Sequence, residues 1–335
     1  MQKLWRLLFC ILLLTGAGCS SSSPSGGHIS ASLPLGAVRD VRLPGRTTRF
    51  DYQSIDPVAR RLYIAHLGDS SVVVVNLERL RPVATIGDVS EVHGVLAVPE
   101  LNRVFATATG TNELVAIDMT TNRIAGRAPT GEFPDGLAYD QVDGLVLVSN
   151  KNAGTESVID GRTLRSVATI KFGDEVGNVE YDQVSKLAWV AARTPDQLVA
   201  FDPMTHRVVH RIRLPGCEGA HGVYLSPDGR AFVACERNAR LAVVDLTRRR
   251  LVELVDVGAD PDVLAVDPTD ARLYVAAESG VVTVLATQPH LRVLGRAHLA
   301  DTAHTVAVDP GTRRVFVPLE DRGGHPVLRI MTPSR

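Results

Sequence analysis

The sequence predicts an all-β fold, a seven-bladed β-propeller whose last blade is closed by the N-terminal strand. Three observations predict it: a repeat of about 42 residues, four short apolar runs in each repeat, and a first run that matches a strand missing from the last repeat. Most repeats begin at an apolar run that ends in Asp or Asp-Pro. The repeats start at Asp51, His93, Asp135, Gly177, His221, Asp262 and His304, at steps of 42, 42, 42, 44, 41 and 42.

Each repeat contains four candidate strands. A turn leads from the first apolar run to a second, for example 61–66 (RLYIAH). A third run follows a polar loop, as in 71–77 (SVVVVNL), and a fourth follows a turn, as in 81–87 (RPVATIG). The runs are rich in Val, Ile, Leu and Ala and show no sustained 3.6-residue period, which is typical of strands. The repeats lack the paired Gly-His and Trp-Asp signature of WD40 proteins, so another propeller family is indicated.

The two ends of the chain are predicted to share one blade. The seventh repeat stops at its third strand, which ends at residue 332. Residues 37–45 (AVRDVRLPG) resemble residues 208–216 (VVHRIRLPG), the fourth strand of the fourth repeat. The N-terminal strand therefore supplies the missing strand and leaves no open sheet edge there. The propeller domain is expected over residues 37–335.

The first residues resemble the export signal of a bacterial lipoprotein. Lys3 and Arg6 precede an apolar run over residues 7–14, which is shorter than the roughly 20 residues that span a bilayer. The small residues before Cys19 resemble a lipobox, which implies cleavage after residue 18 and a diacylglycerol on the Cys19 sulfur. The alternative is an ordinary signal peptide cleaved nearby. Residues 1–18 are predicted to be the signal peptide, and residues 19–36 a flexible tether.

The expected location is the cell envelope, with the N-terminal lipid as the contact to the membrane. By analogy with Gram-negative lipoproteins, Ser20 and Ser21 favour the periplasmic face of the outer membrane. A formal net charge of -1, with no run of five like charges, argues against nucleic acid as a partner. We expect a monomer.

The repeat starts are predicted to form a ring around one mouth of the channel, because the first strand of each propeller blade lines the central channel. The candidate ligands for a small molecule or a metal ion in this ring are Asp51, His93, Asp135, His221, Asp262 and His304. The ends of the second strands form a wider ring on the same face. Its candidates are Glu236, Glu278 and Glu320, and His66, Thr109, Lys151 and Arg193 occupy the other positions.

Two interpretations of this ring are open. Imidazole and carboxylate together form a ligand set for a first-row divalent metal ion, the one cofactor that the sequence suggests, and they also serve general acid–base chemistry. The structural alternative is that Asp or His at a strand start bonds the backbone of its own loop. The alternation of two residue types favours function, because a turn requirement alone would select one type.

Two cysteines, Cys217 and Cys235, remain in the predicted mature domain. Export permits a disulfide between them, which is the favoured prediction. If the hairpin turns at residues 227–229, Cys235 lies opposite His221. The alternatives are a Cys–His–Glu metal site that adds His221 and Glu236, or free thiols. The sequence contains no CxxCH haem motif, no Gly-rich phosphate loop and no GxSxG nucleophile elbow.

Three motifs carry a family resemblance. They are residues 221–230 (HGVYLSPDGR), 243–247 (VVDLT) and 273–276 (LYVA). They resemble the YncE-like, or YVTN, family of exported bacterial β-propellers, and the resemblance covers about residues 37–332. It implies the fold and export but no catalytic residues, because the family carries no agreed catalytic set.

Two functions are therefore predicted as alternatives. The first is a lipid-anchored, non-catalytic scaffold that binds a small ligand, a metal ion or a protein at the channel mouth. The second is a metal-dependent hydrolase or lyase of the lactonase type that uses the central His/Asp ring, which rests partly on analogy with other seven-bladed propellers.

Overall fold

A computed structural model describes residues 32–334, and this part of the chain is all β. Its 28 strands form seven four-stranded antiparallel sheets, arranged as the blades of a β-propeller. The predicted fold class is confirmed. No helix in this range is long and apolar enough to cross a membrane. The predicted signal peptide, the lipidation site Cys19 and most of the predicted tether lie outside the described residues.

Each blade orders its four strands from the channel outward, and blades one to seven are numbered by their channel strands. The channel strands are β2 (Gln53–Asp56), β6 (Val92–Val98), β10 (Pro134–Asp140), β14 (Val176–Asp182), β18 (Ala220–Ser226), β22 (Pro261–Asp267) and β26 (Ala307–Val308). The second strands are β3 (Arg61–His66), β7 (Arg103–Ala108), β11 (Leu145–Asn150), β15 (Leu187–Ala192), β19 (Arg230–Cys235), β23 (Arg272–Ala277) and β27 (Val315–Leu319).

The outer half of each blade follows the same plan. The third strands are β4 (Ser71–Asn76), β8 (Glu113–Asp118), β12 (Thr155–Asp160), β16 (Gln197–Asp202), β20 (Arg240–Asp245), β24 (Val281–Ala286) and β28 (Val327–Pro333). The outermost strands are β5 (Arg81–Ile86), β9 (Arg123–Pro129), β13 (Ser166–Lys171), β17 (Arg207–Arg213), β21 (Arg250–Asp256), β25 (Arg292–His298) and β1 (Leu35–Arg42). Short 3-10 turns occupy Leu67–Asp69, Pro99–Leu101, Thr109–Thr111 and Glu236–Asn238.

The N-terminal strand completes the last blade, as predicted. β1 pairs antiparallel with β28, and Asp40 lies opposite Arg329. Two nitrogens of this guanidinium donate to the Asp40 carboxylate at 2.9 and 2.7 Å. The strand begins at Leu35, two residues before the predicted domain boundary, because Leu33 and Leu35 already pack against the core of this blade.

Neighbouring blades are held by buried apolar faces and by arginines that reach across the seam. The second and third strands are almost fully buried, because sheets that pack on both faces expose neither. An arginine that begins a second strand donates to a carbonyl of the next blade. Arg103 donates to the Gly161 carbonyl at 2.6 Å, and Arg230 donates to the Thr287 carbonyl at 2.8 Å.

Aspartates at strand ends organise the turns on the opposite face of the propeller. Asp56, at the end of a channel strand, accepts hydrogen bonds from the backbone N–H groups two and three residues later, at 2.8 and 3.0 Å. Asp118, Asp202 and Asp245, at the ends of third strands, bond the backbone of their own turns in the same way. Their role is therefore local, as expected for an aspartate in a turn.

Cys217 and Cys235 are joined by a disulfide in blade five, with their Cα atoms 5.2 Å apart. The bond uses both sulfur atoms, so neither the Cys–His–Glu metal site nor the free thiols considered above are formed. Cys235 lies opposite Ala220, not opposite His221 as expected. The reason is a bulge after Ala220, which shifts the register before the pairing resumes at Val223.

Candidate functional site

The ring positions of blades two to six lie in a β-bulge at the start of the channel strand. In blade two, Val92 pairs with Ala108 and Val95 pairs with Ala106, so His93 falls inside the irregular step. The register shifts at the same place in blades three to six. A bulge bends a strand and redirects a side chain. The ring residue is thereby directed to the mouth of the channel rather than along its wall.

The residue two places before the ring position connects the two predicted rings. It has a positive φ in five blades, at Glu91, Phe133, Gly219, Asp260 and Thr302. Its carbonyl accepts a hydrogen bond from the backbone N–H that follows the second strand. Lys151 donates to the Phe133 carbonyl at 2.8 Å, and Glu278 donates to the Asp260 carbonyl at 2.8 Å. The wider ring is therefore held beside the inner ring on one face.

A pocket of about 310 Å³ occupies this mouth of the channel, and we call it the mouth pocket. Seven of the nine predicted ligand candidates line it, namely Asp51, His93, Asp135, His221, Asp262, Glu236 and Glu278. The rest of the lining is Arg49, Tyr52, Phe133 and Lys151. An eighth candidate, His304, lies against the carboxylates of Asp51 and Asp262.

Tyr52 closes the floor of the mouth pocket. Its hydroxyl accepts a hydrogen bond from Nδ2 of Asn178, in blade four, and donates to Oδ1 of Asp262 at 3.2 Å. Gly136 leaves room for Asn178, because a Cβ at that position would lie 2.3 Å from the Asn178 Oδ1 atom. Tyr52 and Asn178 also line a second cavity of about 280 Å³. They therefore divide the channel into two chambers.

Buried histidines and aspartates alternate along the wall of the mouth pocket. His221 Nε2 lies 3.0 Å from Oδ1 of Asp262 and 4.0 Å from Oδ2 of Asp135. His304 Nε2 lies 3.8 Å from Oδ2 of Asp51 and 3.9 Å from Oδ2 of Asp262. None of these five side chains belongs to a residue that is more than 5% exposed. The ring thus brings together groups that are more than 200 residues apart in sequence.

His304 is held in one orientation by its own loop. Its Nδ1 atom lies 2.8 Å from the carbonyl oxygen of Thr302, and because a carbonyl only accepts, Nδ1 carries a proton. Burial disfavours the imidazolium, but the carboxylates of Asp51 and Asp262 outweigh it and raise the pKa of His304 to about 9. Together with Arg49, which lies 3.4 Å from Asp51, the Nε2 proton therefore balances these carboxylates at neutral pH.

Asp262 is the most connected carboxylate of the ring. Burial opposes its ionisation, but the hydrogen bond from His221 and the charges of His221 and His304 hold its pKa well below the ordinary value. Tyr52, which bonds the same carboxylate, has its pKa raised well above the ordinary value by burial and by the nearby aspartates. Tyr52 therefore stays a neutral hydrogen-bond donor while Asp262 stays charged.

The wider ring contains ion pairs at the rim of the pocket. Arg49 donates to both carboxylate oxygens of Glu278, at 2.6 and 3.1 Å, and lies 3.4 Å from Asp51. Arg193 pairs with Glu236. Burial raises the pKa of Glu236, yet the charges of His221 and Arg193 more than offset this effect and lower that pKa overall. The Glu236 carboxylate is therefore ionised at neutral pH.

Two predicted candidates bond neighbouring polar groups of the protein. His93 lines the pocket, but its Nδ1 lies 2.9 Å from the Glu91 carbonyl and 2.8 Å from the Thr109 hydroxyl. Glu320 accepts a hydrogen bond from the Thr302 hydroxyl and is not part of the described pocket lining. The structural alternative accounts for the bond from His93 to its own loop. It does not account for the contacts among Asp51, Asp135, His221, Asp262 and His304.

Three residues of the pocket were not among the predicted candidates: Arg49, Tyr52 and Phe133. Arg49 and Phe133 occupy the same repeat position, two residues before the ring, and Tyr52 occupies the position just after it. The 42-residue repeat could have placed these residues near the channel mouth, because they stand one or two residues from the ring positions. The lysine ammonium of Lys151 lies 5.6 Å from the centre of the Phe133 ring, so Phe133 also positions a cation.

Comparisons with known proteins agree on the fold. No protein-family profile and no curated protein matches the chain. A chain of hydrazine synthase from Kuenenia stuttgartiensis has a TM-score of 0.71 at 14% identity, over 88% of this chain and 95% of that chain. The chain of a structure described as U3-55K has a TM-score of 0.75 at 10% identity, over 88% and 98% respectively.

These similarities support the architecture alone, because sequence identity is low and 1815 solved chains match. The fold and the site together define a seven-bladed β-propeller with a buried, charged pocket at one mouth of its channel.

Proposed function

We propose that this protein is a lipid-anchored, extracytoplasmic binding propeller that holds a small, positively charged ligand in the mouth pocket. The observation that carries the proposal is the excess of carboxylates in that pocket. Five carboxylates line it, those of Asp51, Asp135, Asp262, Glu236 and Glu278. The permanently charged cations in contact with the lining are fewer: Arg49, Lys151 and Arg193.

Only the imidazoles of His221 and His304 balance the remaining carboxylates, and their charge depends on a bound proton. A cationic ligand would take over that role. Charges inside a protein interact more strongly than in water, so buried carboxylates favour a compensating cation. His304 supplies one such charge, and it is shared between Asp51 and Asp262. Asp135 has one such contact among the described residues, with His221 Nε2 at 4.0 Å, and that nitrogen lies closer to Asp262, at 3.0 Å. A pocket of about 310 Å³ is at the small end of ligand sites, which suits a small ammonium compound or a metal ion.

Export and lipid anchoring belong to the same proposal. They rest on the lipobox resemblance at Cys19 and on the resemblance of the repeats to the YncE-like family. The disulfide between Cys217 and Cys235 supports an oxidising compartment, because such bonds are rare in proteins of the reducing cytosol.

One observation favours the second candidate function, a metal-dependent hydrolase or lyase of the lactonase type. Asp51, Asp262 and His304 offer ligand atoms within 4.8 Å of one another, and a divalent ion there would activate a water molecule. This function ranks second because the other two histidines of the pocket are engaged. His93 bonds its own loop, and Nε2 of His221 bonds Asp262, which leaves Nδ1 as the one nitrogen of the His221 ring that could act as a general base.

Asp135→Asn tests the binding function. The substitution removes one charge at constant shape, and the 4.0 Å contact with His221 is too long for its loss to affect folding much. The full-length protein in detergent is titrated with putrescine, a small diamine, in the presence of EDTA, and thermal stabilisation is measured. We expect putrescine to stabilise the wild type and Asp135→Asn to weaken binding about tenfold, or roughly 1.4 kcal/mol.

Two controls accompany this titration. Succinate, a dianion of similar length, should not stabilise the wild type, and Asp88→Asn should bind putrescine normally, because the Asp88 side chain is 90% exposed. Equal stabilisation by succinate and putrescine, or wild-type affinity in Asp135→Asn, would overturn the proposed function.

A further inference from the structure

Three metal-ligating side chains meet on one side of the mouth pocket, at the seam where the ring of blades closes. Asp51, Asp262 and His304 come from blades one, six and seven, and one ligand atom of each lies within 4.8 Å of the others. These residues are exposed by 1%, 5% and 0% respectively. The three side chains are therefore almost completely shielded from bulk water.

The imidazole of His304 presents a buried nitrogen with no hydrogen-bond partner to this cluster. Nδ1 donates to the Thr302 carbonyl, which leaves Nε2 to face the carboxylates. Nε2 has no hydrogen-bond partner in the described part of the chain, and the same holds for Oδ1 of Asp51. Buried polar atoms of folded proteins are rarely left without partners. A backbone carbonyl on the far nitrogen is also the usual device that orients a metal-binding histidine.

Asp262 is held in place by groups that leave one oxygen available. His221 Nε2 and the Tyr52 hydroxyl contact Oδ1 at 3.0 and 3.2 Å. Oδ2 faces His304 Nε2 at 3.9 Å. Hydrogen bonds to the other oxygen of a ligating carboxylate fix its orientation in the same manner.

We propose that Asp51, Asp262 and His304 bind one first-row divalent metal ion, an inference that rests on the proposed function and names a metal ion as the cation bound on this side of the pocket. Nε2 lies 3.8 and 3.9 Å from the carboxylate oxygens, whereas tetrahedral ligands of an ion at about 2.0–2.2 Å lie about 3.4 Å apart, so the side chains would close by about 0.4 Å on binding. The ion replaces the proton on Nε2 of His304, which is released to solvent, and the two carboxylates neutralise the charge of the ion. A mixed imidazole and carboxylate set suits zinc, cobalt or manganese. Water would fill the remaining coordination positions.

Cobalt provides the test, because its visible absorption reports coordination directly. The full-length protein in detergent is stripped with EDTA, dialysed and titrated with Co²⁺, and the visible spectrum is recorded. We expect one Co²⁺ per chain, with absorption stronger than that of the aqueous ion. Added Zn²⁺ should displace it and abolish the absorption.

Isosteric variants identify the ligands. Asp51→Asn and Asp262→Asn should each weaken Co²⁺ binding at least tenfold, and thermal unfolding of each variant checks that the fold is retained. Asp51→Asn is the safer variant, because Asp262 also bonds His221 and Tyr52. Asp88→Asn, at an exposed position, is the control and should bind Co²⁺ as the wild type does.

The outcomes separate the two proposals. A wild type that takes up no Co²⁺, or Asp51→Asn and Asp262→Asn variants that bind it unchanged, would overturn the metal site. If putrescine binding still depends on Asp135 in that case, the proposed function stands. Co²⁺ uptake that depends on Asp51, without any binding of putrescine, would support the metal site and overturn the organic-cation part of the proposed function.

Discussion

His93 and His304 occupy the same repeat position and yet have different surroundings. In both, Nδ1 contacts the carbonyl of the residue two places before, Glu91 or Thr302, at 2.9 and 2.8 Å. Nε2 of His304 faces two carboxylates, whereas the ring of His93 lies 5.0 Å from that of Phe133. The repeat therefore sets the orientation of a ring histidine, and residues from other blades set its chemistry.

At the residue scale, the position of a side chain could be predicted where the repeat fixes it, and its binding role stays a prediction. The period placed Asp51, Asp262 and His304 on one mouth, although they are up to 253 residues apart. It could not assign Tyr52 to the floor, because the matching residues in blades two and three are Gly94 and Gly136 and carry no side chain. The space beside these glycines depends on how neighbouring blades pack, which the sequence of one repeat does not show.

Glu180 supplies a test of the second chamber at the residue scale. This glutamate lines the second cavity, and burial raises its pKa to about 7. An acid whose pKa is raised in the folded state stabilises the fold at low pH, and this stability is lost as pH rises from about 4.5 through 7. Glu180→Gln should therefore be about 1 kcal/mol more stable than the wild type at pH 8 and equal to it at pH 5, measured by urea unfolding.

Glu253→Gln is the control for that experiment, because Glu253 is exposed on an outermost strand. Its stability difference from the wild type should be small at both pH values. A Glu180→Gln variant whose stability follows the wild type from pH 5 to pH 8 would contradict the raised pKa.

At the element scale, the interfaces between blades are held by ion pairs as well as by apolar packing. Arg60 of blade one donates to both oxygens of Asp309 of blade seven, at 2.8 and 2.6 Å, where the first and last blades meet. Asp309 is fully buried. Burial opposes its ionisation, but the hydrogen bonds from Arg60 and Thr312 lower its pKa to about 2.

Asp309→Asn should weaken this seam. A carboxylate whose pKa is lowered in the folded state contributes stability above its unfolded pKa of about 3.9, and the contribution is lost as pH falls towards 2. We expect the variant to lose about 2 kcal/mol at pH 7 and the difference to shrink below pH 4, measured by chemical unfolding. Asp88→Asn, which removes an exposed pair with Arg127, should change stability by less than about 0.5 kcal/mol. Equal effects of the two substitutions would contradict the stabilising role of the ion pair between Arg60 and Asp309.

The sequence predicted the strands of each blade but not the bulges in their pairing. The apolar runs and the Asp turns mark four strands per blade because both are visible in short stretches of sequence. The bulges at the ring positions are not visible there, since they depend on which residue of the neighbouring strand lies opposite. For this reason Cys235 was expected opposite His221 and lies opposite Ala220.

At the scale of the whole molecule, closure joins both ends of the chain in one blade. β1 covers the edge of β28, and the ion pair between Asp40 and Arg329 crosses this pairing. An uncovered edge strand exposes unpaired backbone groups and promotes aggregation. The closing strand was predictable because its sequence matches the fourth strand of another repeat, which makes a missing element recognisable.

Two truncations test closure. A protein that lacks residues 1–31 keeps β1 and should unfold at the same temperature as the full chain. A protein that lacks residues 1–43 loses β1, and we expect it to be several kcal/mol less stable and to aggregate, as seen by calorimetry and light scattering. Equal stability of the two truncated proteins would show that β1 does not close the propeller.

The most direct test of the central claim, that the His/Asp ring at the channel mouth binds a cation, is a crystal structure after a zinc soak. Anomalous diffraction is recorded at the zinc absorption edge. We predict one peak about 2.0–2.2 Å from a carboxylate oxygen of Asp51, a carboxylate oxygen of Asp262 and Nε2 of His304. A mouth pocket without any peak, in which Nε2 of His304 still faces both carboxylates at 3.8 and 3.9 Å, would contradict the claim.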